Sequence, residues 1–228
     1  MRRTFLLAIY ASALVVTGAA PCAQEADSAY LSWSASQAED AAKSMEAKGR
    51  VAGTRGFMNT RTDQARNYKL RAFWLTPEVI RGTARVLQLR DGLSAEQTRQ
   101  LVAEAEAAGD TVVMIELDPH EGSGVIPGDW GAILRPNGAA QEERGSRGTD
   151  SPKLRNVPAL NGVGRRDYAY DRFWMVFPLT NAAGQPLFSA GDTEAELEVR
   201  IRSREGRVRW PVPDFIRRKI SARNSGEN

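Results

Sequence analysis

The sequence predicts an α+β fold in which N-terminal helices precede an antiparallel β-sandwich. Three observations support this prediction. Capped helical segments lie in the first half of the chain, alternating strand patterns dominate the second half, and the densest aromatic run, residues 168–179, is typical of a strand buried on both faces. With 42% hydrophobic and 26% charged residues, this chain of 228 residues can bury a core of ordinary size.

The first 23 residues are predicted to be a signal peptide. Arg2 and Arg3 precede an apolar run from Phe5 to Val16, and small residues follow it. This run is shorter than the roughly 20 residues that a bilayer-spanning helix needs. We therefore expect export to the periplasm or the exterior, and a mature chain without a transmembrane segment.

Cys22 is the only cysteine, so no intramolecular disulfide can form. It lies in the predicted cleavage region, where acylation would anchor the protein to a membrane. Pro21 occupies the position at which a lipobox requires a small residue, so the sequence favours simple cleavage over a lipid anchor. A structural envelope component tethered through Cys22 is kept as an alternative.

The segment 24–67 is predicted to hold a helix and a linker. Ala, Glu and Lys dominate residues 36–48, and Gly49 follows where a helix commonly ends. Residues 50–67 mix Gly, Thr, Asn and Arg without sustained periodicity, which predicts a linker with at most one short strand.

A helical insertion is predicted at residues 77–108. Thr76 can cap its first helix, and the following proline suits the first helical position. Gly82 is unfavourable inside that helix. Ser94 and Gln97 form a capping box for a second helix. This helix has the strongest sequence signals of all the predicted elements.

Residues 68–213 are predicted to form the sandwich domain around this insertion. Its strands are expected at residues 68–74, 111–118, 130–136, 168–179, 194–202 and 207–212. In the last hairpin apolar residues alternate with Glu and Arg, which predicts one buried face and one solvated face. The polar stretch 139–156 is predicted to be a mobile surface loop, and 214–228 a flexible basic tail.

The order of these elements resembles that of exported bacterial immunoglobulin-like domains. A strand is followed by a Gly/Pro-rich crossing, a short strand, a long insert, an aromatic strand and a terminal hairpin. The resemblance covers residues 68–213 and implies an immunoglobulin-like sandwich. It is a likeness of pattern, so no functional residue is carried over from it.

The charge balance argues against nucleic acid as a partner. The formal net charge of +3 falls to +1 when Arg2 and Arg3 leave with the signal peptide. Proteins that bind nucleic acid usually concentrate a larger positive charge on one face.

The single histidine limits the chemistry that the chain can support. His120 lies between Asp118 and Asp129, but zinc and the catalytic transition metals usually need at least two nitrogen or sulfur ligands. The spacing of a calcium loop and the Gly-x-Ser-x-Gly motif of a serine hydrolase are both absent. We therefore expect neither a metal nor a cofactor.

Tryptophans and acidic side chains are the remaining candidates for ligand or partner contacts. An exposed indole ring can stack on a sugar or act as a binding hot spot. Trp210, which precedes a proline near an edge, is the tryptophan most expected to be exposed. The other candidate contacts are Trp130, Asp118, His120 and Asp129.

These observations favour an exported, non-catalytic binding or scaffolding module whose partner is an envelope protein or a polysaccharide. The alternative is a glycosidase-like hydrolase that uses carboxylates in the loop 118–130. A pocket with two facing carboxylates would favour the enzyme. A flat or Trp-lined sheet face would favour the binding module.

Overall fold

The computed structural model describes residues 28–53, 67–109, 111–119, 126–139, 144–163, 171–181 and 183–225. The predictions made for the signal peptide, Cys22 and His120 lie outside these residues.

The described residues form a mixed fold of helices and antiparallel strands, as predicted. The helices are α1 (Ala35–Lys43), α2 (Pro77–Asp91), α3 (Ala95–Glu106) and α4 (Asp214–Ser225). The strands are β1 (Glu46–Gly53), β2 (Tyr68–Trp74), β3 (Thr111–Pro119), β4 (Trp130–Pro136), β5 (Ser146–Arg147), β6 (Thr149–Asp150), β7 (Asp171–Phe177), β8 (Glu194–Ile201) and β9 (Arg204–Pro211). Short 3-10 helices cover Ala29–Ser32, Pro152–Asn156 and Pro158–Leu160.

All nine strands belong to one continuous antiparallel sheet. Its order is β5-β4-β8-β9-β1-β2-β3-β7-β6. The two outermost strands are separated in sequence by Gly148 alone, so the segment 146–150 connects β4 to β7 and nearly closes the sheet into a barrel-like shape. The predicted immunoglobulin-like sandwich of two separate sheets is not confirmed.

Gly148 lies at the closure of this barrel-like sheet. Its backbone N–H donates to the carbonyl oxygen of Ala132 at 3.0 Å. A Cβ atom at this position would lie 2.7 Å from Cζ of the buried Phe177 ring, so a side chain does not fit. The stretch 139–156 was predicted to be a mobile loop, and this prediction is wrong for the closing segment, because its backbone pairs with two strands that are distant in sequence.

Apolar side chains fill the inside of the barrel-like sheet. Trp74 is fully buried there, and its indole N–H donates to the hydroxyl of Thr111. The Trp74 ring packs against those of Trp210, at 5.6 Å between centroids, and Phe188, at 6.2 Å. The interior is therefore a packed core, as alternation along the strands predicts.

Helices α2 and α3, together with the 3-10 helices, cover the outer face of β2, β3 and β7 and form a second core. Trp174 packs in this outer layer and donates from its indole N–H to the carbonyl of Leu160 at 2.8 Å. Phe177 of the same strand points to the inner core. The prediction that this aromatic strand is buried on both faces is confirmed for residues 171–177, while residues 168–170 lie outside the described part of the chain.

Both ends of the described chain differ from their predictions. Helix α1 ends at Lys43, and the residues from Glu46 onward pair with β2 as strand β1, because tertiary pairing overrides their helix propensity. The segment predicted as a flexible tail forms helix α4. Its Ile216 and Ile220 are buried in the inner core, so this amphipathic segment is stabilised by packing.

Gly82 in the middle of α2 has a packing role. A Cβ there would lie 2.6 Å from the backbone nitrogen of Ala42 and 2.8 Å from the carbonyl oxygen of Ala38. The glycine costs about 1 kcal/mol of helix propensity relative to alanine. It allows α1 and α2 to approach more closely than a side chain would permit.

Candidate functional site

The outer face of β4, β8 and β9 carries a network of arginines and glutamates. We call it the charge ladder; it consists of Arg135, Glu196, Glu198, Arg200, Arg207 and Arg209. Residues directly opposite each other in antiparallel strands share a face, and Arg135 pairs with Glu196 in the β4–β8 register while Arg207 pairs with Glu198 in the β8–β9 register. The ladder thus follows from strand register.

The two glutamates of the charge ladder are buried, with exposed fractions of 2% for Glu196 and 1% for Glu198. The solvated face that the sequence predicts for them is therefore wrong, although their strand alternation is right. Arg135 donates from Nη2 to Glu196 at 2.8 Å and to Glu198 at 2.7 Å. Long arginine side chains cover the shorter carboxylates and replace their water.

The exposed arginines complete the neutralisation of these carboxylates. Arg209 donates from Nε to Glu196 at 2.9 Å, and Nη2 of Arg207 lies 3.3 Å from Glu198. The Arg200 guanidinium also contacts Glu198. Burial favours the neutral acid, but hydrogen bonds from Arg135 and Arg209 and the charge of Arg207 lower the pKa of Glu196 below its ordinary 4.5.

We expect the charge ladder to make stability depend on pH in the acid range. A carboxylate whose pKa is lowered by folding stabilises the protein fully above its unfolded pKa, here about 4.5, and loses this contribution as the pH falls through the folded pKa. In the Arg209→Gln variant, Glu196 loses the charge and a hydrogen bond of Arg209, so its folded pKa lies closer to the unfolded one and the total loss of stability on acidification should be smaller. Thermal unfolding of both proteins between neutral pH and pH 3 measures this, and coincident profiles would contradict the assignment.

A third buried carboxylate lies on the outer face of β2, β3 and β7. Glu116 accepts from Nε of Arg71 and from Nε of Arg172, each at 2.6 Å. The candidate contact Asp118 lies further along β3, with its carboxylate 3.4 Å from the ammonium of Lys69. These acidic groups are held in ion pairs.

The arginine cleft is a depression of about 490 Å³ beside the charge ladder. Its lining residues are Gly128, Asp129, Trp130, Gly131, Ala132, Ile133, Gly145, Arg147, Arg200 and Arg202. In register, Gly131 lies opposite Arg200 on β8, and Arg147 lies opposite Ile133 on β4. Two guanidinium-bearing strands therefore flank a position that has no side chain.

Among the described lining residues, three carry guanidinium groups and one carries a carboxylate. Nη2 of Arg147 lies 3.8 Å from the position that a Cβ of Gly131 would occupy. Arg202 and Asp129 are 3.5 Å apart, with side chains 66% and 63% exposed, so water screens this pair strongly. Such an arrangement suits an anionic ligand.

Of the two candidate tryptophans, Trp130 is partly buried and lines the cleft, whereas Trp210 lies elsewhere in the buried core. Strand alternation places the Trp130 ring on the inner side of β4, where it packs against Phe173 with centroids 4.5 Å apart. Trp210 was expected to be exposed, but only 4% of its surface is accessible. Its register opposite Ala195 turns it inward, and its indole N–H donates to the carbonyl of Met45 at 2.9 Å.

The predicted acidic loop site is divided in this structure. Asp129 lines the arginine cleft, Asp118 pairs with Lys69 on another part of the sheet, and His120 lies outside the described residues. Within the described ranges, no group of three His, Cys, Asp or Glu side chains could hold a metal ion.

In the same ranges, no helix has both the length and the apolar character needed to cross a bilayer.

Sequence reasoning missed Arg147, Arg200 and Arg202 as members of one site. Each lies in a polar or alternating stretch, where a solvated arginine is the ordinary interpretation. The missing signal was the β4–β8 pairing, which joins residues about 70 positions apart.

No family model, curated protein or solved structure matches this chain.

Proposed function

We propose that the protein is a non-catalytic binding module of the cell envelope and that its ligand binds in the arginine cleft. The observation that carries the proposal is the described part of the lining of this cleft, which holds three guanidinium groups and a single carboxylate. Guanidinium groups bind oxyanions through pairs of hydrogen bonds. Export, which rests on residues 1–23, would place this site in the envelope.

The hydrolase alternative receives less support from the same residues. Glycoside hydrolysis needs two carboxyl groups held across the scissile bond, one of which donates a proton. Asp129 is the one acidic residue among the described lining of the cleft, and it is paired with Arg202. Glu116, Glu196 and Glu198 are buried in ion pairs with arginine, so their carboxylates do not face a substrate.

A glycan array and an envelope extract, both probed with the mature protein, test the proposed function. We expect retention by the wild-type protein, loss of retention in the Arg147→Ala variant, and no turnover of the retained material. Hydrolysis that the Asp129→Asn variant abolishes would overturn the proposal in favour of the enzyme. Mass spectrometry of the mature N-terminus separates a cleaved protein from one acylated at Cys22.

A further inference from the structure

We infer that the arginine cleft recognises a phosphomonoester, and this inference rests on the proposed binding function. Three guanidinium groups in the described lining offer pairs of hydrogen-bond donors; Arg200 also contacts Glu198, and Arg202 pairs with Asp129. A phosphomonoester carries a charge of about −1.5 to −2 at neutral pH. Its three phosphoryl oxygens can accept from all three guanidinium groups, whereas the two oxygens of a carboxylate can accept from fewer.

Gly131 gives an oxyanion access to both sides of the cleft. It lies opposite Arg200 in the strand register, and Nη2 of Arg147, on the strand at the other side of β4, lies 3.8 Å from the position that a Cβ of Gly131 would occupy. A side chain here would fill the space between these two cations. Three phosphoryl oxygens could instead accept hydrogen bonds from two guanidinium groups at once.

The arginines of the cleft are prepared for this role in different ways. Arg200 is held by the buried carboxylate of Glu198, which restricts its side chain before any ligand arrives. Arg147 is exposed and has no carboxylate partner among the described residues. One cation is thus pre-positioned, and the other keeps its charge available for a ligand.

Arg202 occupies a conformation that usually belongs to glycine. It has φ of 55° in the two-residue turn between β8 and β9, and it is the one non-glycine residue with positive φ in the described part of the chain. Left-handed backbone is unfavourable for residues with a Cβ atom. An arginine at this position therefore lowers the free energy of unfolding. Backbone strain of this kind is typical of functional sites, and the Arg202 side chain lines the cleft.

The volume of the cleft indicates a ligand larger than inorganic phosphate. About 490 Å³ lies within the range of sites for small organic molecules. The phosphomonoester could belong to a soluble sugar phosphate or to a lipid headgroup. Both sources present the same group to the arginines, so binding experiments must separate them.

Titration calorimetry of the full mature protein tests this inference with two probes. The soluble probe is glucose 6-phosphate, and the membrane probe is phosphatidylcholine vesicles with and without phosphatidic acid. We expect saturable binding of at least one probe, and a loss of about tenfold or more in Arg147→Ala, as removal of a charge-assisted hydrogen bond implies. Arg218→Ala, in a separate groove beside α4, is the matched control and should bind as the wild type does.

Two further readouts distinguish recognition of a phosphomonoester from general attraction of anions. Affinity for glucose 6-phosphate should fall between pH 7.5 and pH 5.5, because its second pKa is about 6. Glucose 6-sulfate, which stays a monoanion, should bind more weakly at neutral pH. Equal affinity for the sulfate and the phosphate would overturn the inference.

The Arg202→Gly variant keeps the test independent of folding defects. Glycine relieves the left-handed conformation, so the melting temperature should rise by about 2–4 °C while phosphate affinity falls. Unchanged affinity in both Arg147→Ala and Arg202→Gly would refute the site. If no phosphomonoester binds but another ligand is retained through Arg147, the inference fails and the proposed binding function stands; turnover of a bound ester would refute both.

Discussion

Replacing Glu198 by glutamine is expected to lower the free energy of unfolding by about 3–5 kcal/mol. The variant keeps the shape of the side chain but removes the charge that faces Arg135, Arg200 and Arg207. Arg135 is itself buried, so its guanidinium would lose one of its two carboxylate partners. Urea denaturation measures the difference.

Glu194→Gln is the matched control for this substitution. Glu194 lies on the same strand, but it is exposed and accepts a hydrogen bond from Asn137 at 2.8 Å. Loss of a charge at an exposed position usually costs less than about 1 kcal/mol. If both variants were as stable as the wild type, the charge ladder would not contribute to stability in the way that its burial implies.

Replacing Gly148 by valine is expected to lower the free energy of unfolding by about 3 kcal/mol, at the upper end of typical overpacking costs. The Cβ atom would lie 2.7 Å from Phe177 and 3.0 Å from the terminal methyl carbon of Met175. Phe177 is fully buried and cannot turn away from the new side chain. The segment 146–150 would then have to move from one of its two partner strands.

Gly191→Val serves as the control for the closure, since no atom lies within 4 Å of a Cβ at that position. Urea denaturation of the two variants compares a valine at the closure with one in open space. Hydrogen exchange adds a local readout, because movement of the segment should reduce protection of the Gly148 amide, which donates to Ala132. A Gly148→Val protein with wild-type stability and protection would show that the segment does not hold the sheet closed.

Local signals predicted much of the secondary structure correctly. The bounds of β2 and β4 agree with their alternating apolar residues, and the Ser94–Gln97 capping box marks the start of α3. These features depend on neighbours within a few positions, through strand alternation, helix periodicity and capping. The same reasoning missed β1, because its Ala, Glu and Lys residues favour a helix until β2 and β9 pair with them.

Within the described residues, the sequence by itself determined where most strands and helices begin and which strand residues face inward. The tertiary structure alone decided that segment 146–150 closes the sheet, that Glu196 and Glu198 are covered by arginines, and that Arg147, Arg200 and Arg202 meet at one cleft. The physical reason is distance along the chain. Periodicity and capping act between near neighbours, whereas strand order and the cover over a sheet face depend on contacts between distant segments.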